Sequence, residues 1–257
     1  MTDTLVAFLD VLGCSVTAVN GTDEERSRLL AFLRRVNETY LSNQGVVVRN
    51  LGGGHQIIHN PEVFACSDSV LLSVKIHDPS DFDESRIITN LMSTMISIYW
   101  QGIHAGFLVR GGVARGECIH QANQIFGEAY VKAVSLEKET LYPRIQIDAS
   151  VFKLSASPIL DDEIRSVCIE EHESQFFLNC LGWHHGVWMD YMHFKYGTSE
   201  WPHDTKSVIL QAVADIDTTI STQISGLRGP ALQKWEWFRD QWAEKKKSWP
   251  IFAQQGA

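Results

Sequence analysis

The sequence has little cysteine chemistry. Its five cysteines show no Cys-x-x-Cys spacing and are odd in number. Cys14, Cys66 and Cys118 lie inside apolar runs, a position typical of reduced, buried thiols in a cytosolic protein. The sequence therefore predicts free thiols.

Positive charge is also scarce. Acidic side chains outnumber basic ones, 31 to 22, and the formal net charge is −9. A chain without a general basic field is a poor candidate for binding nucleic acid, so we expect no nucleic-acid partner. A small anionic ligand is still compatible, because a few arginines, cations and backbone amides can outweigh the global charge locally.

Long apolar runs are absent. No stretch approaches the roughly 18 apolar residues that span a bilayer, and no basic segment of the signal-peptide kind is apparent near the start. The hydrophobic content of 44% and charged content of 21% are typical of a globular protein with a sizeable core. We expect a cytoplasmic protein with no membrane partner.

Two apolar runs each contain one aspartate. Asp10 lies in the run 5–15 and Asp68 in the run 63–72, and both runs are typical of buried strands. Burying a carboxylate is costly unless it is paired, caps a helix or binds a metal. If the two strands are neighbours, Asp10 and Asp68 can share a Mg²⁺ or Mn²⁺ ion, with a substrate phosphate completing the coordination. A helix cap and a surface pair are the alternative interpretation.

The periodicity of the whole chain predicts an α+β fold. Its β-α-β-β-α-β-α-β order describes an antiparallel-rich sheet with helices on one face. The glycines at 52–54 indicate a hairpin turn, because no Lys-Ser/Thr follows them as in a P-loop. Strands are predicted within 5–15 and over 46–51, 63–74, 107–120 and 144–148, with 166–170, 175–181 and 187–192 as candidate strands. Helices are predicted over 22–43, 84–101, 128–139, 205–225 and 230–247.

Three motifs in this order resemble the class III nucleotidyl cyclases. Phe8-Leu-Asp10-Val-Leu-Gly13-Cys-Ser15 resembles their first metal-binding strand and turn, Phe-x-Asp-Ile-x-Gly-Phe-Thr. Ser67-Asp68-Ser69 resembles their second metal position, on a hairpin strand. The stretch Arg110-Gly-Gly112-Val-Ala-Arg-Gly116, followed by Ile125-Phe-Gly127 and a helix ending in Leu136-Glu137, is similar to the second half of that domain. The resemblance covers about residues 5–150.

Within the class, the Arg-Gly-Gly-x-x-x-Gly pattern, His120 and the Phe-Gly-x-Ala at 126–129 most resemble the bacterial Pycsar pyrimidine cyclases. The resemblance implies a ferredoxin-like βαββαβ cyclase domain over 1–155, with a C-terminal β/α extension over 156–257. It also implies a uridylate cyclase that converts UTP to cyclic UMP and pyrophosphate with two Mn²⁺ or Mg²⁺ ions per site. Such enzymes are homodimers and act in antiphage defence, where the product switches on a separate effector.

The resemblance assigns roles to single residues. Asp10 and Asp68 would hold the metal ions. Phe64 and Gln124 stand where adenylate cyclases place a base-reading Lys and Asp, so they are the candidate base-binding residues. The candidate phosphate-binding residues are the turn residues Val11, Gly13, Cys14 and Ser15, together with Lys132.

The chain departs from purine cyclases on its third predicted helix, 128–139. Val131 and Ser135 occupy the positions of their ribose-orienting Asn and transition-state Arg. Arg110 and Arg115 are the candidate catalytic residues in their place. Strand alternation puts these two arginines on opposite faces, so at most one of them can reach the phosphates.

Three alternatives stay open at this stage. The enzyme could be a cytidylate cyclase that makes cyclic CMP, because an amide such as Gln124 can flip to suit either base. The chain could also be a catalytically silent cyclase-like module that dimerises and senses a nucleotide. A zinc hydrolase is disfavoured, because the histidines have no His-Glu-x-x-His spacing.

Overall fold

The computed structural model describes residues 1–41, 45–51, 54–76, 81–121, 124–152, 169–182 and 204–249. The strands are β1 (Thr2–Leu12), β2 (Gly45–Leu51), β3 (Gly54–Asn60), β4 (Glu62–Cys66), β5 (Ser69–Lys75), β6 (Leu108–Gln121), β7 (Gln124–Gly127), β8 (Ile145–Ile147), β9 (Ile169–His172) and β10 (Gln175–Leu178). The helices are α1 (Cys14–Asn20), α2 (Asp23–Leu41), α3 (Asp81–His104), α4 (Glu128–Glu139), α5 (Thr205–Gly226) and α6 (Gly229–Lys247), with a 3₁₀ turn at Ala149–Phe152.

Eight of the strands form one sheet with β1 and β6 at its centre. The strand order is β4-β5-β1-β6-β8-β10-β9, and β7 pairs with the end of β6. All neighbours are antiparallel except β6 and β8. The mixed α+β class with a mostly antiparallel sheet is therefore confirmed. The predicted hairpin around the glycines at 52–54 is the separate pair β2-β3.

Most helices pack on one face of this sheet. Alternate residues of β1 share one hydrophobic cluster with apolar residues of α2, α3, α5 and α6. The tryptophans of α6 belong to it: Trp235 and Trp242 are buried, and the Trp242 ring meets Trp100 of α3 edge to face at 5.6 Å. The described part of the C-terminal region thus packs on the sheet, and these two tryptophans are part of that packing.

Helix α4 is an exception to the expected one-sided arrangement. It lies on the opposite face, where Ala129 and Ala133 pack with Val6 and Ala114. The approach is close because β6 has a glycine below the helix. A Cβ at Gly112 would lie 2.2 Å from the carbonyl oxygen of Ala133, so only glycine lets α4 rest on the strand here.

Two local predictions need correction. The strand expected over 63–74 is two strands, because the chain reverses at Ser67 and Asp68, and Ser67 has φ 60°. Asp68 therefore lies in a turn, where its side chain is not committed to one face of a strand. The short helix α1 was not predicted, because its seven residues are too few to show a helical period. The strand expected over 187–192 lies outside the described residues.

Helix α2 begins at a capping box, a sequence pattern that favours the start of a helix. Thr22 and Glu25 form a capping box, in which each side chain accepts a hydrogen bond from the other residue's backbone N–H, at 3.2 and 2.7 Å. None of the described helices is long and apolar enough to cross a membrane.

Candidate functional site

The two aspartates meet at the end of β1. Asp10 stands opposite Ser69 in the β1–β5 register, and the N–H of Val11 donates a 2.8 Å hydrogen bond to the carbonyl oxygen of Asp68. The thiol of Cys14 lies beside both carboxylates: its pKa is raised by burial and then by the charges of Asp68 and Asp10. The sequence predicted a shared site if the two strands are neighbours. The structure meets this condition, because β1 pairs with β5.

The ionised form of the Asp10 carboxyl group is disfavoured in the folded protein. Burial raises its pKa most, Arg110 lowers it and the nearby charge of Asp68 raises it again, with a net upward shift. Two close carboxylates repel each other unless a cation lies between or beside them. The pair therefore favours binding of additional positive charge.

Arg110 already contacts Asp10. Its Nε lies 3.3 Å from Asp10 Oδ2 and 2.6 Å from Glu137 Oε1, and its Nη1 donates to the carbonyl oxygen of Thr140 at 3.2 Å. Glu137 comes from the C-terminal end of α4, which Gly112 allows onto the strand. The pKa of Glu137 is also raised, chiefly by burial. Arg110 thus orients Asp10 and is not a free charge for a phosphate.

Arg115 lies on the other face of the same strand. Its Nη2 is 2.6 Å from Asp3 Oδ2, and its Nη1 contacts the buried carboxylate of Glu84 on α3. This is the opposite-face placement that strand alternation predicts. The structure does not bring Arg115 to Asp10.

The turn after β1 leaves open space beside the aspartates. Gly13 has φ 85°, a left-handed conformation that favours glycine, and nothing lies within 4 Å of a Cβ placed there. A ligand can therefore approach the backbone of Gly13 and the exposed Ser15 closely. The backbone N–H of Val11, predicted to bind phosphate, already donates to the carbonyl oxygen of Asp68 and is not free for a phosphate.

Phe64 lies on the same side of the sheet as Asp10. It stands opposite Leu71 in β5, which stands opposite Phe8 in β1, two residues before Asp10. Phe8 meets Tyr130 of α4 edge to face at 6.3 Å. These partly buried rings form an apolar wall next to the aspartates, of the kind that packs against a nucleobase.

Two other candidates lie elsewhere. Gln124 pairs with Gln121 at the far end of β6 and is exposed. At about 3.3 Å per residue, β6 extends roughly 35 Å from Arg110 to Gln121, so Gln124 cannot join Asp10 around one small ligand within one chain. Lys132 pairs with Glu128 one turn before it on α4, at 2.8 Å.

Sequence reasoning missed two members of the charged cluster. Glu137 belongs to the Leu136-Glu137 motif, but the motif by itself implies no catalytic or binding role for it. Lys234 of α6 carried no signal at all, yet Asp10, Glu137 and Arg110 all influence its pKa. Only the packing of two helices against the sheet brings these residues to Asp10.

The donor set fits a hard divalent cation that arrives with a substrate. Carboxylate oxygens suit Mg²⁺ and Mn²⁺, and Mg²⁺ is commonly held by one or two carboxylates, with water and substrate phosphates as the other ligands. Within the described residues, no group of three or more His, Cys, Asp or Glu side chains could hold a metal ion. Asp10 and Asp68 would therefore hold such an ion together with a phosphate group, and not as a closed protein cage.

No family model matches the chain, and no curated protein matches it. Among solved structures it is similar to the guanylyl cyclase Cya2, with 9% identity, 69% of this chain and 93% of that chain covered, and a TM-score of 0.37. It is also similar to the catalytic core of a rhodopsin-guanylyl cyclase with converted specificity in complex with ATPαS, with 10% identity, 69% and 94% covered, and a TM-score of 0.38.

A third similar structure is a class III adenylyl cyclase-like ATP-binding protein from Pseudomonas aeruginosa. The identity is 10%, the TM-score is 0.35, and the match covers 95% of this chain and 44% of that one. Because the identities and TM-scores are low, the function proposed below rests on this chain's own residues.

Proposed function

We propose that this protein is a nucleotidyl cyclase that converts UTP to 3′,5′-cyclic UMP and pyrophosphate. The observation that carries the proposal is the pairing of Asp10 with Asp68 beside the open, left-handed turn at Gly13. Two carboxylates next to exposed backbone amides suit a triphosphate that binds together with divalent cations. The motif resemblance over residues 5–150 supplies the reaction class.

In the proposed reaction the 3′-hydroxyl attacks the α-phosphorus of the same nucleotide. The 3′-O–P bond forms, the bond from the α-phosphorus to the bridging oxygen of pyrophosphate breaks, and the hydroxyl proton is released. Bound Mg²⁺ or Mn²⁺ would lower the pKa of the hydroxyl and neutralise phosphate charge. Asp10 and Asp68 would hold these ions, and Arg110 fixes the Asp10 carboxylate, because catalysis of phosphoryl transfer depends mostly on positioning and charge.

The proposed base preference follows from the apolar wall. Phe64 and Phe8 offer ring surfaces in place of a charged base reader, an environment that favours a small base packed against a ring. UTP is the preferred substrate by analogy with the Pycsar enzymes. CTP, giving cyclic CMP, is the alternative because Gln124 can present its amide in either orientation.

A homodimer is part of the proposal. Ile119 and Phe126, which pair across β6 and β7, are exposed, as is Val131 on α4. Burying these side chains against a second chain is favourable, and a twofold arrangement would create two equivalent sites. It would also allow Gln124 of one chain to reach a nucleotide held by Asp10 of the other.

The proposed biological role is synthesis of a second messenger in antiphage defence, with a separate effector that binds the product. This role rests on the resemblance to the Pycsar family alone. The proposed domain division, 1–155 and 156–257, follows the extent of the resemblance, and the second part covers the sheet through α5 and α6.

A silent nucleotide-sensing module is the second candidate. The contacts of Arg110 favour it, because this arginine is engaged by Asp10, Glu137 and the Thr140 carbonyl. Val131 and Ser135 supply no replacement for the absent Asn and Arg. Such a module would bind nucleotide at Asp10 and Asp68 without forming a product.

The deciding experiment is incubation of the purified protein with each of the four ribonucleoside triphosphates and Mn²⁺, with products identified by mass spectrometry. We expect cyclic UMP from UTP, lost when the metal is chelated and lost in Asp10→Asn. Binding of UTP without product would favour the silent module. Cyclic AMP or cyclic GMP as the main product would refute the pyrimidine assignment while keeping the cyclase assignment.

A further inference from the structure

Helix α6 reaches the aspartate end of the sheet with one lysine. The first half of α6 lines a cavity of about 660 Å³ together with the turn after β1 and the beginning of β6. Lys234 is half-buried in this lining, in the same cavity wall as Leu12, Gly13 and Leu108. These residues flank Asp10 and Arg110 in sequence, so Lys234 lies at the opening beside the candidate site.

Lys234 differs from the other lysines of its helix. Lys245 pairs with Glu170, Lys246 with Asp217 at 2.8 Å, and Lys247 with Glu244 at 3.0 Å. Lys234 has no ion-pair partner within 4 Å in the part of the chain that the structure describes. Because no carboxylate holds its ammonium group, Lys234 is available to an anionic ligand.

The electrostatic surroundings of Lys234 are those of the candidate site. Burial lowers its pKa most, Arg110 lowers it further, and Asp10 and Glu137 raise it. In return, the charge of Lys234 lowers the pKa of Asp10. Its place in the cavity wall beside Gly13 therefore brings the charge of Lys234 to the turn expected to bind phosphate, and no ion pair joins it to Asp10 among the described residues.

The three cations that the sequence suggested for the phosphates are engaged by other groups. Arg110 binds two carboxylates and a carbonyl, Arg115 lies on the opposite face, and Lys132 pairs with Glu128. A nucleoside triphosphate held by two aspartates carries more negative charge than these groups can balance. Charge must be supplied near the β- and γ-phosphates, because pyrophosphate leaves with the electrons of the broken bond.

We propose that Lys234 binds the β- and γ-phosphates of the nucleotide and neutralises the leaving pyrophosphate. The inference rests on the proposed function, since it places the polyphosphate at Asp10 and Asp68. It also gives α6, which lies outside the region of motif resemblance, a direct part in binding the substrate. A flexible lysine acts as a point charge on phosphate oxygens and needs no bidentate geometry.

The test combines kinetics with a chemical footprint. Lysines are acetylated with a water-soluble reagent in the presence and absence of Mn²⁺ with UTP, and separately with inorganic pyrophosphate, and modification is read by mass spectrometry. We expect both ligands to protect Lys234 and to leave Lys247, near the other end of the same helix, unprotected. Protection by UTP should disappear in Asp68→Asn.

The kinetic arm uses Lys234→Gln and Lys234→Arg, with Lys247→Gln as the matched control. Loss of one preorganised charge at a phosphoryl-transfer site predicts a fall of about 100-fold in kcat/KM for Lys234→Gln. We expect partial recovery in Lys234→Arg, which keeps the charge, and no change in Lys247→Gln. Tm should stay the same in all three, because Lys234 has no ion pair to lose.

Failure of this inference and failure of the proposed function give different results. Cyclic UMP formation with equal acetylation of Lys234 in the presence and absence of ligand would overturn the role of Lys234 and leave the cyclase intact. Protection of Lys234 by UTP in a protein that makes no cyclic nucleotide would support the phosphate contact and refute the cyclase. An unchanged kcat/KM in Lys234→Gln would also overturn the inference.

Discussion

Two arginines of β6 organise ionic clusters on opposite faces of the sheet. Arg115 lies between Asp3 and the fully buried Glu84, and the charged form of the arginine is favoured, since its pKa is raised despite burial. Arg110 lies between Asp10 and Glu137, and there the pKa values of both carboxyl groups are raised. Each cluster thus joins one arginine to two carboxylates, and at Arg110 a third carboxylate, Asp68, adds further negative charge.

The difference distinguishes a structural ion pair from a candidate site. The Arg115 cluster joins β1, β6 and α3. The Arg110 cluster has a second aspartate, Asp68, and the accessible backbone of Gly13 next to it. Excess negative charge at an accessible position is costly for a folded protein, and cation binding compensates for it.

The largest expected effect separates the clusters by activity. Asp68→Asn should lower kcat by roughly 1,000-fold or more, because metal-assisted charge stabilisation contributes several kcal/mol to such reactions. Asp3→Asn on the opposite face is the matched control and should keep kcat within a factor of about two, as it changes no group near the substrate. Equal losses in both variants would show that the comparison has no functional meaning.

The second prediction concerns the contribution of the Arg115 cluster to the stability of the fold. Arg115→Gln removes the arginine partner of Glu84, whose side chain is fully buried, and should lower the free energy of unfolding by about 3 kcal/mol. Urea denaturation measures this loss. Adding Glu84→Gln should restore part of the stability, because the buried charge is then gone. A single variant as stable as the wild type would contradict the structural role of this pair.

A smaller effect is expected at Arg110. Arg110→Lys keeps the charge but cannot contact Asp10, Glu137 and the Thr140 carbonyl together, so the Asp10 carboxylate loses its fixed orientation. We expect kcat to fall by about 10- to 100-fold, the range for small misplacements of reacting groups. Far-ultraviolet circular dichroism should stay unchanged. Wild-type kcat would show that Arg110 does not position Asp10.

The smallest effect concerns the turn beside Asp10. Gly13→Ala places a side chain at φ 85°, which should cost about 1 kcal/mol of stability through backbone strain alone, since nothing lies near the added methyl group. The measurement is Tm by calorimetry. Ser15→Ala, in the same turn with an exposed side chain, is the control and should leave Tm unchanged. Equal Tm values for Gly13→Ala and the wild type would contradict the left-handed conformation of Gly13.

Periodicity predicted the local elements well. The bounds of α4 match the expectation, α5 and α6 each differ from it by one residue, and β2 and β3 pair on either side of the predicted glycines. Alternation in β6 correctly placed Arg110 and Arg115 on opposite faces. These features depend on side chains a few residues apart, which is the range over which the period of a helix or strand is read.

The sequence by itself determined that Asp10 lies in a buried strand and that Arg110 and Arg115 lie on opposite faces of β6. Only the tertiary structure decided that Asp68 lies in a turn, that its carbonyl takes the N–H of Val11, and that Glu137 and Lys234 join the cluster. The reason is distance along the chain: Arg110 and Asp10 are 100 residues apart, and such contacts follow from how α4 and α6 pack on the sheet, which no local pattern records.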